Sequence, residues 1–147
     1  MTYIAYDNLY DILEQDILSP DDTYITRVSL NLLKCLEPAG TFTVSIIDAY
    51  DNVLGSKSQT LAEMQAEGSD ALSEDYYHGF ISFEFDSPVH VGFGTYYIRL
   101  EASGYTYTDE AYIGWLRDWE HKLVNNTEEA ASSVNEPFAY RIYSLRR

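Results

Sequence analysis

Arg27-Val28-Ser29-Leu30-Asn31-Leu32 alternates apolar and polar side chains without a break. Val28, Leu30 and Leu32 fall on one side, and Arg27, Ser29 and Asn31 on the other. Only a strand has a side-chain period of two, so this run predicts a β-strand with one buried face. Four other stretches repeat the pattern. Thr41-Phe42-Thr43-Val44-Ser45-Ile46 places Phe42, Val44 and Ile46 together, and Ile81-Ser82-Phe83-Glu84-Phe85 places Ile81, Phe83 and Phe85 together. Tyr96, Ile98 and Leu100 share a face opposite Arg99 and Glu101, and Phe138, Tyr140 and Ile142 do the same near the C-terminal end. Strands with a single apolar face belong to antiparallel sheets covered on one side.

Turn chemistry falls between these runs. Glu37-Pro38-Ala39-Gly40 separates the first two strands, with Gly40 free to take a positive φ. Asp48-Ala49-Tyr50-Asp51-Asn52 predicts a hairpin that continues into Val53-Leu54-Gly55. Ser87-Pro88 and Gly92-Phe93-Gly94 bracket a short Val89-His90-Val91 strand, and Pro137 places the last strand's start or an edge nearby. Thr60-Leu61-Ala62-Glu63 has the form of a capping box, predicting a helix of two turns through Leu61 and Met64 that Gly68 ends. Leu9, Ile12, Leu13 and Asp16 suggest a second short helix between Asn8 and Leu18, and the polar stretch Asn125 to Asn135 reads as a loop or frayed turn. There is no internal repeat and no linker. The expected fold is one all-β antiparallel sandwich of jelly-roll type with one or two short helices, residues 21–147, preceded by an arm at 1–20.

The composition narrows the function classes. The 147 residues include 24 Asp and Glu against 9 Lys and Arg, for a net charge of −15. A surface of that sign repels phosphate backbones and anionic headgroups, so neither a nucleic acid nor a membrane is expected as partner. No apolar run approaches the roughly 20 residues of a membrane span, and Met1 to Asp7 lacks the basic and apolar regions of a secretory signal. A lone cysteine, Cys35, cannot close an internal disulfide, which fits a reducing compartment or an assembly built inside a cell. Residues 1–26 carry six acids and no Lys or Arg; the stretch between Lys57 and Arg99 carries seven acids and again no Lys or Arg, while the C-terminal end is basic. Opposite-signed regions suit docking onto neighbouring subunits in a fixed order, or simple solvation.

The order of elements resembles the carbohydrate-binding-module-like jelly-roll modules of bacterial secreted proteins and of tailed-phage virion proteins. The matching stretches are Ile25 to Lys34, Pro38 to Ile46, the Asp48 to Ser56 hairpin, and a run through Phe83, Phe85, Pro88, Val89, Val91, Gly94, Thr95, Tyr97, Ile98 and Leu100. A Trp-bearing strand at Trp115 and a closing strand from Phe138 to Tyr143 complete it. The hairpin departs from the pattern in having no glycine at its turn. The resemblance spans residues 23 to 145 and implies non-catalytic work: binding a glycan, or packing as a structural module. In a glycan binder, exposed aromatics stack on sugar rings; Tyr105, Tyr107, Tyr112, Trp115 and Trp119 are the candidates, interleaved with Asp109, Glu110, Arg117 and Asp118. The alternative is that these side chains pack the sandwich or a protein interface with their polar tips wet.

Other constellations have plain explanations. Asp48, Asp51 and Asn52 offer oxygen ligands but lack the alternating spacing of a calcium loop, so turn chemistry accounts for them better, and no metal is assigned. Asp21-Asp22 and Ser73-Glu74-Asp75 read as solvated loops. His78, His90 and His121 lie in separate segments, Cys35 lacks the flanking motif of a nucleophile, and Asn125-Asn126-Thr127 is a chance sequon without a secretion signal. Glu84 and Glu101 both point outward from strands, and a glycosidase pair would need them in one cleft. No catalytic residue and no cofactor are assigned.

The expectation is therefore a non-enzymatic structural component of a tailed-bacteriophage virion, acting through protein–protein contacts. It would be a capsid decoration or cement protein, or a neck or tail adaptor or fibre protein. The partners would be other virion proteins, including further copies of the chain as a homo-oligomer, and the location the virion, after synthesis in the bacterial host cytoplasm. The arm would anchor it through Tyr3, Ile4, Tyr6, Leu9, Tyr10, Ile12 and Leu13, and deleting residues 1–18 would leave a folded domain that no longer assembles. The alternative is a carbohydrate-binding module recognising cell-surface glycans through exposed Tyr and Trp.

Overall fold

The alternating run at 27–32 lies in the middle of a 13-residue strand, β3 (Thr23–Cys35). The structure of the chain, a computed structural model, describes residues 6–67, 75–117, 122–123, 127–128 and 138–145. Before β3 come β1 (Tyr6–Asn8) and β2 (Ile12–Ser19); after it come β4 (Thr41–Ile47), β5 (Val53–Thr60) and the two-residue β6 (Gln65–Ala66). Then follow β7 (Tyr76–Val91), β8 (Gly94–Ser103), β9 (Tyr112–Leu116), β10 (Lys122–Leu123), β11 (Thr127–Glu128) and β12 (Tyr140–Leu145).

These strands make two sheets. The smaller has the order β2-β8-β4-β5, antiparallel throughout. The larger is built on β3, which pairs with β7 along one side. Its other side is shared end to end: β12 runs beside Tyr24 to Leu30, and β9 beside Leu32 to Cys35. β1 extends the sheet beyond β9, and β10 joins β12 in parallel. The sheets pack face to face as an all-β sandwich, with Val28, Leu30, Phe42, Val44, Ile46, Ile81, Phe83, Ile98 and Leu100 interleaved between them. All five alternating runs of the sequence turn their apolar faces into this core.

Irregularities sit where the sequence marks them. Register slips between Ile25 and Arg27 of β3, because β7 carries extra residues around Pro88, whose missing N–H is tolerated at such a bulge. Val89-His90-Val91, expected as a short separate strand, is the end of β7. Gly40 has φ 121°, and a Cβ there would meet the Ser103 carbonyl oxygen at 2.8 Å, so the β3–β4 connection requires glycine. The hairpin at Asp48 closes through the Asp48 carboxylate, which accepts from the Tyr50 N–H at 2.9 Å and the Asn52 N–H at 2.8 Å.

The helices are corrected. Thr60 and Glu63 do meet, the Glu63 carboxylate accepting from the Thr60 N–H at 2.8 Å. They cap a single 3₁₀ turn, Leu61–Glu63, after which the chain becomes extended and pairs with β7 as β6. The backbone of Gln65 and Ala66 is taken up by Ser82 and Ile81 of β7 instead of a second helical turn, and Gly68 lies outside the described residues. The segment from Asn8 to Leu18 is strand. The open edge of β8 pairs with Ile12 to Ser19 residue by residue, which satisfies the backbone and buries Gln15, Ile17 and Ser19 on one side. Leu9, Ile12, Leu13 and Asp16 fit a helical period as well, so the local pattern does not separate the two. The described part of the arm, residues 6–19, is therefore stitched into both sheets rather than lying outside the sandwich, and Leu9 is fully buried in the core.

Candidate functional site: a tyrosine cluster on the larger sheet

Alternation along β9 sends Ile113 and Trp115 inward and leaves Tyr112, Gly114 and Leu116 on the outer face. Tyr112 pairs in register with Cys35, and Cys35 with Tyr76 at the start of β7. On the other side of β9, Tyr6 pairs with Leu116 and lies over Gly114, where a Cβ would come within 2.6 Å of its ring. Glycine at 114 is what leaves room for the Tyr6 ring. Leu33, Tyr112 and Leu116 make a small second core here, covered by Tyr6 and Tyr107.

Five tyrosines converge. The Tyr112 hydroxyl lies 3.3 Å from that of Tyr6 and 3.3 Å from that of Tyr76. Ring centroids are 6.1 Å apart for the stacked Tyr6 and Tyr112, 5.4 Å for Tyr107 and Tyr112, and 4.6 Å for Tyr10 and Tyr107. Tyr107 donates its hydroxyl to Asp109 at 3.2 Å. Tyr112 is buried, whereas Tyr10 and Tyr76 remain 66% and 58% exposed, so the cluster has an anchored interior and an open surface. Hydrogen bonds to Tyr6 and Tyr76, and then burial, hold Tyr112 neutral well above the usual tyrosine range. Desolvation, with the hydrogen bond to Asp109 and its charge, pushes Tyr107 up to about 12. Exposed acids neighbour these rings in sequence, Asp11 after Tyr10 and Asp75 before Tyr76, and the Cys35 thiol donates to the backbone carbonyl of Glu110 at 3.4 Å.

The candidate residues divide accordingly. Tyr107 and Tyr112 belong to the cluster, joined by Tyr6 and Tyr10 from the expected arm. Tyr76 was not singled out in the sequence, and only the β3–β7 register brings it in. Trp115 is corrected, being a core residue, and Tyr105 is half-buried with its ring packed against the core. Tyr105 packs edge-on against Phe42 at 5.4 Å, and its hydroxyl accepts from the Ile113 N–H at 3.1 Å. Trp115 is fully buried, stacks on Phe138 at 4.5 Å, and donates Nε1–H to the Ala139 carbonyl at 3.0 Å. Inward-facing positions on β9 cannot offer a ring to solvent. Leu13 packs on the core and Ile12 is 47% exposed on the smaller sheet. Tyr3, Ile4, Trp119, Asp118, His121, Ser73, Glu74 and the Asn125-Asn126 pair lie outside the described residues.

The other half of the same outer face is a charged hub. Glu67 accepts from Ser29 Oγ at 2.9 Å, Tyr143 OH at 2.7 Å and an Arg141 nitrogen at 2.8 Å. Arg27 lies over the Tyr143 ring at 3.7 Å and Arg141 over Phe80 at 3.8 Å. Glu84 lies on the outer face of the larger sheet and Glu101 on that of the smaller one, so the two cannot share a cleft. Asp51 is paired with Arg99 at 2.7 Å and His90 with Asp22 at 3.2 Å. Among the described residues no group of three or more His, Cys, Asp or Glu is placed to hold a metal ion, and no helix is long and apolar enough to cross a membrane.

No protein-family model matches the chain, and no curated protein matches it in sequence.

Proposed function

We propose that the chain is a non-enzymatic structural component of a tailed-phage particle, joining other virion proteins through the tyrosine cluster. The resemblance in strand and turn order supports the particle. The observation that carries the docking surface is the exposure of Tyr10 and Tyr76 above a hydrogen-bonded tyrosine interior. Tyrosine is enriched at protein interfaces because it brings a large apolar area with few rotatable bonds and a polar tip. The role fits a capsid decoration or cement protein as well as a neck or tail adaptor or fibre.

The test is recovery of the chain in particles purified on a density gradient from the bacteria that make it. The wild-type chain bands with the particles in fixed proportion, and the double variant Tyr10→Ala/Tyr76→Ala stays at the top of the gradient. A wild-type chain missing from the particles refutes the reading. A second reading, glycan recognition, is favoured by the open Tyr10 ring packed on Tyr107 beside the Asp109 carboxylate. Retention on a glycan array, lost in Tyr10→Ala, would select it.

A further inference from the structure

The fold already shows what its aromatic rings pair with. Arg27 and Arg141 stack on Tyr143 and Phe80, and Arg117 stands 5.9 Å from the Phe138 ring centre while its guanidinium also grips Asp7 at 2.7 Å. Arg99 is held by Glu14 and Asp51. Among the described residues, none of the cation–ring contacts falls on Tyr6, Tyr10, Tyr76, Tyr107 or Tyr112. The cluster therefore combines ring faces with exposed acids nearby in sequence, and no cation from the described residues stacks on it.

We propose that the cluster receives an arginine-rich segment of a different, basic protein, its guanidinium groups lying against the exposed Tyr10 and Tyr76 rings, with the exposed Asp11, Asp75 and Asp109 carboxylates available to them. This rests on the docking reading above and names the partner's chemistry. A guanidinium is attracted to the ring quadrupole and is weakly hydrated, so it loses little on leaving water. The carboxylates add a charge-assisted hydrogen bond of the kind Tyr107 already makes to Asp109. A second copy of the chain is the weaker occupant, because each copy carries a net charge of −15 and would bring acid against acid.

The experiment uses the full chain and three labelled peptides of equal length, rich in arginine, lysine or glutamate, with binding followed by fluorescence anisotropy at two salt concentrations. The arginine peptide binds tightest and the glutamate peptide not at all. Tyr10→Ala/Tyr76→Ala weakens the arginine peptide roughly tenfold, the scale of a partly desolvated cation–π contact, and Tyr10→Phe/Tyr76→Phe restores most of it. Both positions are more than half exposed, so neither variant threatens the fold. Equal affinity for arginine and lysine peptides, or an Ala variant that binds as the wild type does, overturns the proposal. So does a wild-type dimer in light scattering that Tyr10→Ala dissolves, which would install a second copy as the occupant. If the Ala variant leaves the particle while the wild type ignores the arginine peptide, docking stands and the guanidinium falls. If the peptide binds but the variant stays in the particle, docking at this face falls instead.

Discussion

Replacing Trp115 by Phe separates a core tryptophan from a binding platform. The indole is fully buried, stacked on Phe138 and hydrogen-bonded to the Ala139 carbonyl. That carbonyl also accepts from the Asn31 N–H at 3.1 Å, so the substitution leaves no buried acceptor unpaired. What is lost is one net hydrogen bond, about 1 kcal/mol, and the apolar area of the second ring, about 50 Å² at roughly 25 cal/mol per Å². The expected cost is about 2 kcal/mol, against about 3–5 kcal/mol for Trp115→Ala, which also leaves a cavity. For a chain of this size that lowers Tm by about 4–8 °C. Urea unfolding followed by far-UV circular dichroism reads the difference, with the m-value unchanged. A Trp115→Phe protein within about 0.5 kcal/mol of wild type, the range of ordinary surface changes, would refute the buried placement of this side chain.

Three further predictions concern other parts of the sandwich. Burial works against ionising Glu67, but the hydrogen bonds from Tyr143, Ser29 and Arg141 outweigh it and hold its carboxyl below the ordinary 4.5. Its stabilisation is thus complete above pH 4.5 and lost on acidification through the lower folded value. Glu67→Gln should cost about 2 kcal/mol at neutral pH, with the gap closing in urea titrations at falling pH; a constant gap would contradict the hub. Tyr112 has the opposite sign: its raised pKa stabilises below pH 10.0 and is lost as pH rises further. Tyr112→Phe should therefore be less stable than wild type at neutral pH and gain on it above pH 10.0, and parallel alkaline melting curves would count against the hydroxyl network. Deleting residues 1–18, finally, removes β1, most of β2 and three buried side chains, Leu9, Gln15 and Ile17. The truncated chain should lose cooperative unfolding, and a wild-type melting curve would restore the arm as a separate appendage.

The strands that were legible in the sequence are those with one polar and one apolar face, such as Val28-Leu30-Leu32 and Ile81-Phe83-Phe85. β2 escaped because Leu9, Ile12, Leu13 and Asp16 satisfy a helical period, and only the vacant edge of β8 decides for a strand. The turn after Thr60 was found by its capping chemistry, yet a cap starts a helix without sustaining one. Tyr107 and Tyr112 could be named only through the glycan-binding role that the resemblance implies, whereas Tyr76 joins them through a strand register that no local pattern encodes. Trp115 stayed open between a stacking platform and the sandwich interior, because an isolated tryptophan in a short strand carries no sign of which face it occupies. Gly114, flanked by Ile113 and Trp115, is that sign in retrospect, since it leaves room on the outer face for Tyr6.

The early strands have a consequence for how the chain acquires its structure. Tyr6 pairs with Leu116, and Ile12 with Glu101, so β1 and β2 wait for partners that lie far downstream in the chain. Until the ribosome releases β8 and β9, Leu9 and Ile17 have no core to enter, and the exposed apolar segment must be kept from pairing with other nascent chains. Closing contacts over such spans places the protein among the slow folders, on the millisecond-to-second scale. The dense run of acids around those apolar residues, Asp7, Asp11, Glu14 and Asp16, then does its first service before any partner is met: it keeps unfinished chains apart by charge.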